Sequence, residues 1–201
     1  MAASELGADA VGLVFAASPR QVSLGHAVDI VHAVGPFVSR VGVFADQPIA
    51  FIREVVAAVA LDSIQLSGSE PPDLAAAVDL PVVKAVHIGL REDVARYRSY
   101  PADWFLLDAP PVGGQMGGTG TAFDWQLVDD LPWDRGRMVV AGGLKPENVG
   151  EVIARVRPAA VDVSSGVERE PGIKDPAKIE AFIAAVAEAD ERLTSLEGLR
   201  E

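Results

Sequence analysis

The sequence predicts an α/β protein of the (β/α)8 barrel class, with seven of its strands visible. Three observations lead there. Short β-rich apolar runs alternate with amphipathic segments along the whole chain, and strand starts recur at roughly 20–35 residues, the footprint of a repeated strand–helix unit. The strands read as near-continuous apolar runs rather than in–out alternations, as parallel strands covered on both faces do. Polar and glycine-rich stretches follow several strands, which favours a barrel with its site at one mouth. An open doubly wound sheet is the alternative, and it binds its ligand near a single Gly-rich turn at one switch point.

The elements follow in order. Residues 2–6 read as the last turns of a helix that run straight into the first visible strand, "DAVGLVF" (9–15). Further strands are expected at "VSRVGVF" (38–44), "SIQL" (63–66), "PVVKAVHI" (81–88), "DWFLLD" (103–108), "RMVVAGG" (137–143) and "AVDVSSG" (160–166). Between them lie the helical segments "GHAVDIVHAV", "IAFIREVVAAVA", "PPDLAAAV", "REDVARYRSY", "FDWQLVDDL" and "PENVGEVIARV", and "DPAKIEAFIAAVAEADERL" follows the last strand. "KPENV" sets Pro146 and Glu147 at a helix start, and "KDPAKI" sets Asp175 as an N-cap before Pro176 at the first helical position. Taking residues 2–6 as the tail of an eighth unit, the expectation is that the N-terminal strand of the barrel is missing from this chain. The 201 residues form a single domain on this reading, compact against the roughly 250 residues typical of such barrels.

Composition narrows the partners. Hydrophobic residues make up 49% of the chain and aromatics 6%, so the core is filled by Val, Ala, Leu and Ile. A net charge of −12 without any basic run argues against nucleic acid and anionic membranes, both of which need clustered Lys and Arg. It leaves room for a phosphate held by backbone N–H groups. No apolar run approaches the roughly 18 residues of a membrane span, and the N-terminus lacks a signal peptide's basic flank and apolar stretch. With no Cys and three scattered His there is no disulfide framework and no metal site to expect. The expected protein is cytoplasmic, needs no cofactor, acts on a small phosphorylated molecule and is a monomer or homodimer.

In this architecture function gathers just after the strands' C-terminal ends. Those positions hold Arg20 in "AASPRQVS", Gln65 in "QLSGSEPP" and Asp108 before the glycine-rich "GGQMGGTG" loop. They also hold Gly142 and Gly143 in "AGGLKPEN", and Asp162, Ser164, Ser165 and Gly166 in "DVSSGVEREPGIKD". The last two groups sit after neighbouring strands and can offer a fan of backbone N–H groups and hydroxyls to a phosphate; otherwise the glycines only permit tight turns. Asp108 is a general-acid candidate at an apolar mouth, or a loop anchor. The glycine-rich loop suits a lid, or is a dispensable surface loop. Arg20 can clamp an anion or be solvated. His87 ends its strand as a candidate base or a satisfied histidine, and Lys84 inside the same strand meets a carboxylate or packs its stem. His26 and His32 fall on a helical segment and look structural.

Read together, "GADAVGLVFAASPRQVS", "RVGVFAD", "DSIQLSG", "VVKAV", "LLDAPPVGGQMGGTGTAFDW", "AGGLKPENV" and "VDVSSGVEREPGIKDPAKI" resemble, in order, the phosphoribosylanthranilate isomerases of tryptophan biosynthesis, which are TIM barrels. The resemblance implies an Amadori rearrangement of N-(5'-phosphoribosyl)anthranilate without cofactor or metal. It makes Asp108 the general acid, Arg20 the contact to the anthranilate side, and Gly142, Gly143, Ser164, Ser165 and Gly166 the phosphate site, with Asp162 beside it. The chain also departs from the family. The general base is a cysteine in a "K-hydrophobic-C-G" motif on the first strand, and neither motif nor cysteine is present, so impaired activity is expected. Ser67 stands where the family has His in "QLHG", and Thr121 and Ala122 stand where it has "GKTFDW". Another phosphosugar barrel enzyme, or a non-catalytic phosphate-binding barrel remnant, are the rival readings.

Overall fold

The computed structural model describes residues 2–87, 97–108, 131 and 133–198, with side chains described up to residue 195. The expected helix at 91–100 is described only over 97–100, which are not helical. The expected helix at 123–131, except Leu131, and the "GGQMGGTG" loop, with Thr121 and Ala122, lie outside the described residues. All seven expected strands are present: β1 (Ala10–Val14), β2 (Ser39–Phe44), β3 (Ser63–Leu66), β4 (Val82–His87), β5 (Trp104–Asp108), β6 (Met138–Val140) and β7 (Ala160–Val161). They are hydrogen-bonded in chain order, β1 through β7. A doubly wound sheet reverses its strand order at a switch point. This one does not, so that alternative falls and the α/β fold with one sequential seven-stranded sheet stands. The pairings β1–β2, β2–β3, β3–β4 and β6–β7 are parallel.

The chain divides into two compact units, Met1–Val86 with Ser99–Phe105, and His87–Arg98 with Leu106–Glu201. In the first, α1 (Ala2–Glu5) leads into β1, α2 (Leu24–Val34) follows it, α3 (Ile49–Ala58) follows β2 and α4 (Pro72–Ala76) follows β3. The start of α2 is set by Ser23, whose Oγ accepts from the His26 N–H at 3.2 Å. His26 and His32 stay exposed on that helix. Register assigns the two faces of the sheet. Leu13, Gly42, Ile64 and Val82 run across one face, followed by Phe44, Leu66 and Lys84, and all are buried. Phe44 stacks on Phe15 with ring centroids 5.3 Å apart and meets Phe51 of α3 edge-on at 6.5 Å. Val14, Val43, Gln65 and Val83 run across the other face and are only half-buried.

In the second unit, α5 (Val149–Val156) follows β6 and buries Val149, Val152, Ile153 and Val156, the i, i+3, i+4, i+7 stripe of an amphipathic helix. It packs against α6 (Pro176–Gly198), which buries Ile179, Phe182 and Ala189. Asp175 caps α6 as expected, its Oδ1 accepting from the Ala177 N–H at 3.0 Å. The start of α5 differs from expectation. Residues 146–148 form a turn and the helix begins at Val149, because the Asn148 side chain is bonded to the preceding loop. Between β7 and α6 lies a hairpin the sequence pattern did not suggest, β8 (Glu168–Glu170) with β9 (Ile173–Lys174). Its two-residue turn is Pro171–Gly172, with Gly172 at φ 82°. No helix among the described residues is long and apolar enough to cross a membrane.

Candidate active site

Two strand-end loops of the second unit carry most of the expected site. Strand β6 ends where the Ala141 N–H donates to Leu107 O at 2.8 Å, and the chain then turns through Gly142 and Gly143 at φ 82° and 66°. Two successive residues in that region are strained for anything but glycine. Asn148 fixes the turn from behind: its Nδ2 donates to Gly143 O at 3.0 Å and its Oδ1 accepts from the Lys145 N–H at 2.9 Å. The second loop leaves β7 at Asp162, whose N–H donates to Val140 O at 2.8 Å, and passes through Ser164 into a 3-10 turn over Ser165–Val167. At Gly166 the loops meet backbone to backbone, since a Cβ there would lie 1.9 Å from Leu144 O. Lys174 holds the second loop through Ser164 O at 2.8 Å and is itself paired with Glu168 at 3.2 Å.

The two carboxyls of the expected site belong to the same unit. Phe105, Leu106 and Leu107 of β5 are buried and set Asp108, half-buried, at the strand's C-terminal end. Asp162 keeps an open face to water while protein atoms crowd the rest of it. That surrounding pushes its carboxyl above the usual range, and the negative charge of Asp108 pushes the same way. Lys174 and the Val163 N–H pull it back only in part. The open face limits how far burial acts, and the water there also screens the repulsion from Asp108. One of two such carboxyls keeps a proton more readily than an isolated aspartate would.

Arg20 and Gln65 belong to the first unit. Arg20 is half-buried in the loop after β1, where its N–H donates to Ser18 Oγ at 3.1 Å. Gln21 and Gln47 hold that loop by donating to Phe15 O at 3.1 and 3.4 Å. Gln65 lies on the half-buried sheet face and donates to Ser67 Oγ at 3.0 Å. His87 ends β4 as expected and is half-buried. Lys84 does meet a carboxylate, that of Glu70 at 2.8 Å, on the covered face opposite Gln65.

Sequence reasoning brought Asp108, Asp162, both glycine and serine loops, Arg20 and Gln65 to strand ends, and each is there. It missed Asn148, Lys174 and Glu70. A lysine inside the apolar run "VVKAV" is the one signal that a buried acid must exist somewhere, though not which.

The comparisons with known proteins bear on the family of the chain. The family model for N-(5'phosphoribosyl)anthranilate (PRA) isomerase matches residues 1–185. The N-(5'-phosphoribosyl)anthranilate isomerase of Halorhodospira halophila is 48% identical over 193 residues, covering 94% of this chain and 91% of its own. Two solved structures are also similar. One holds monomers generated from the dimeric Thermotoga maritima phosphoribosylanthranilate isomerase (TM-score 0.78, 38% identity, 92% of this chain and 90% of that one). The other is a phosphoribosylanthranilate isomerase in complex with reduced 1-(o-carboxyphenylamino)-1-deoxyribulose 5-phosphate (TM-score 0.78, 39% identity, 92% and 90%). With the match extending over nearly the whole chain, the chain belongs to the N-(5'-phosphoribosyl)anthranilate isomerase family.

Proposed function

We propose that this chain catalyses the Amadori rearrangement of N-(5'-phosphoribosyl)anthranilate to 1-(2-carboxyphenylamino)-1-deoxyribulose 5-phosphate in tryptophan biosynthesis, as a single-domain TIM-barrel enzyme of the cytoplasm. The observation that carries the reading is the fused pair of loops at Gly142–Gly143 and Ser164–Gly166, with Asp108 and Asp162 on strand ends of the same unit. Glycine backbone and serine hydroxyls suit a phosphate dianion, and Asp108 at the end of its strand offers a carboxyl to serve as the acid.

In the reaction Asp108 donates its proton to the furanose ring oxygen, the C1'–O bond breaks and a Schiff base forms. A base then takes the proton from C2', the electron pair moves to give an enolamine, and tautomerisation yields the ketone. Atoms balance without an oxidant or cofactor. Asp162, whose carboxyl the charge of Asp108 pushes up, lies beside the phosphate site on this reading. Arg20 meets the anthranilate carboxylate and Gln65 a polar group of the substrate. A relative described as dimeric supports a homodimer as the working assembly.

The base is the weak member, since the chain holds no cysteine. Loss of substrate fluorescence on incubation with phosphoribosylanthranilate tests the function. We expect turnover reduced by about 10²–10⁴-fold against a relative with its base. We expect Asp108→Asn to remove what remains while inorganic phosphate affinity stays within about twofold, because the phosphate loops do not use that carboxyl. Phosphate binding with no turnover above the uncatalysed rate would instead make this a non-catalytic phosphate-binding barrel. Residual turnover that falls with His87→Ala would give the base role to His87.

A further inference from the structure

The first unit contains a polar network at the mouth end of β3 that the proposed reaction does not use. Glu70 and Lys84 are 4% and 0% exposed and pair at 2.8 Å between Oε2 and Nζ. Glu70 Oε1 accepts the backbone N–H groups of Asp46 at 2.9 Å and Gly68 at 3.0 Å. Lys84 Nζ donates to Leu66 O at 2.9 Å and Gly68 O at 2.7 Å. Tyr100 Oη donates to Glu70 O at 3.1 Å, and its ring lies 5.8 Å from Lys84 Nζ. The pair thus binds both the N–H and the C=O of Gly68. From the other side the Asp46 carboxylate accepts the Ser69 N–H at 2.7 Å, and a Cβ on Gly68 would lie 2.5 Å from that carboxylate.

A buried ion pair is weak evidence of stabilisation, because removing two charges from water offsets most of their attraction. What this one does is geometric. It fixes the peptide that follows Ser67, and the Ser67 N–H is fixed by Phe44 O at 2.7 Å. Ser67 Oγ is therefore held at one place on the mouth, facing the Gln65 amide at 3.0 Å. Burial pushes the Glu70 carboxyl up, but hydrogen bonds from Lys84 and the Asp46 N–H, with the charge of Lys84, more than reverse that push. It is held ionised, and the charge keeps its two oxygens as acceptors.

We infer that Glu70 and Lys84 are positioning residues that preorganise the Gln65–Ser67 edge as a polar binding group for the non-phosphate part of the substrate. This deepens the isomerase reading and depends on it. The experiment measures two affinities on the full chain, for reduced 1-(o-carboxyphenylamino)-1-deoxyribulose 5-phosphate and for inorganic phosphate. Glu70→Gln keeps the shape but loses the charge that holds Lys84. It is expected to weaken the analogue by about tenfold, the scale of a small misplacement of a binding group, with inorganic phosphate unchanged. Ser67→Ala is expected to weaken the analogue alone, and to add nothing in the Glu70→Gln background.

Wild-type analogue affinity in Glu70→Gln, or a parallel loss of both ligands, overturns the inference, as does full additivity with Ser67→Ala. Should Glu70→Gln not fold, the double substitution Lys84→Met with Glu70→Gln leaves no buried charge and gives the same comparison. Failure of both to fold makes the pair structural and likewise overturns it. A wild-type chain that binds phosphate but not the analogue is a different result: it sinks the isomerase reading, and this one with it.

Discussion

The two units hold their strand-end loops in place by different physics. In the second, the loops after β6 and β7 are shaped by backbone stereochemistry: two glycines at positive φ, and a third whose missing Cβ lets one main chain touch another. The side chains that assist, Asn148 and Lys174, bond carbonyl oxygens from outside, and Lys174 is 42% exposed. In the first unit, a buried acid–base pair reaches two backbone segments from within, at Asp46 and at Leu66–Gly68. A loop defined by glycine can approach a phosphate closely because no side chain stands in the way. A loop defined by a buried charge presents side chains, here Gln65 and Ser67, at fixed positions.

The largest expected effect breaks the first arrangement. Lys84→Met leaves the Glu70 carboxylate buried without its partner and is expected to cost about 3–5 kcal/mol, read as a lowered midpoint in urea unfolding. Adding Glu70→Gln should recover most of that loss, since removing both charges is far less damaging than removing one. A double variant as unstable as Lys84→Met would show that the hydrogen bonds, rather than the charge balance, dominate. Gly166→Ala breaks the second arrangement. The new methyl meets the Leu144 carbonyl, a backbone atom that cannot swing aside, so the loop must move, at about 1–3 kcal/mol. Inorganic phosphate affinity should fall with it by more than tenfold, measured by calorimetry. Unchanged affinity would mean that phosphate does not bind at this junction.

The same contrast explains what the sequence disclosed. All seven strands were legible because each is a local apolar run, and the glycine and serine loops because their chemistry lies within a few consecutive residues. The ends were less so: β6 stops at Val140, two residues before the glycine turn, and β7 at Val161, short of the run through Gly166. Helix α5 starts later than its Pro-Glu signal because Asn148 is committed to Gly143. The sequence pattern does not suggest the hairpin over Glu168–Lys174, and Lys174 reaching back to Ser164 gives it a use. Glu70 was not legible at all. Its loop, "SGSEPP", looks solvated, and its burial depends on Lys84, fourteen residues on, and on Asp46 from another strand end.

The smallest effects sharpen the comparison through two aspartates whose protonation should be coupled to folding with opposite sign. In the first unit Asp62 accepts a two-pronged bond from Arg40 at 2.7 and 2.8 Å. That bond holds its carboxyl below the usual range against a modest opposing push from burial. A lowered value contributes stability above the unfolded pKa of about 3.9 and loses it as pH falls through the folded value. Asp62→Asn should therefore destabilise at pH 7, by no more than about 0.2–1 kcal/mol because the pair is exposed, and the difference should close in acid. Asp162 is raised by its surroundings and by Asp108, so its contribution is fullest below about pH 3.9 and is lost as pH rises through the folded value. Asp162→Asn should then stabilise the chain at pH 7, with the gain vanishing toward pH 4. Thermal melts of both variants across that range decide the matter. If Asp162→Asn destabilises at neutral pH, Asp162 is held ionised by partners stronger than Lys174, and the upward push from Asp108 does not decide its protonation.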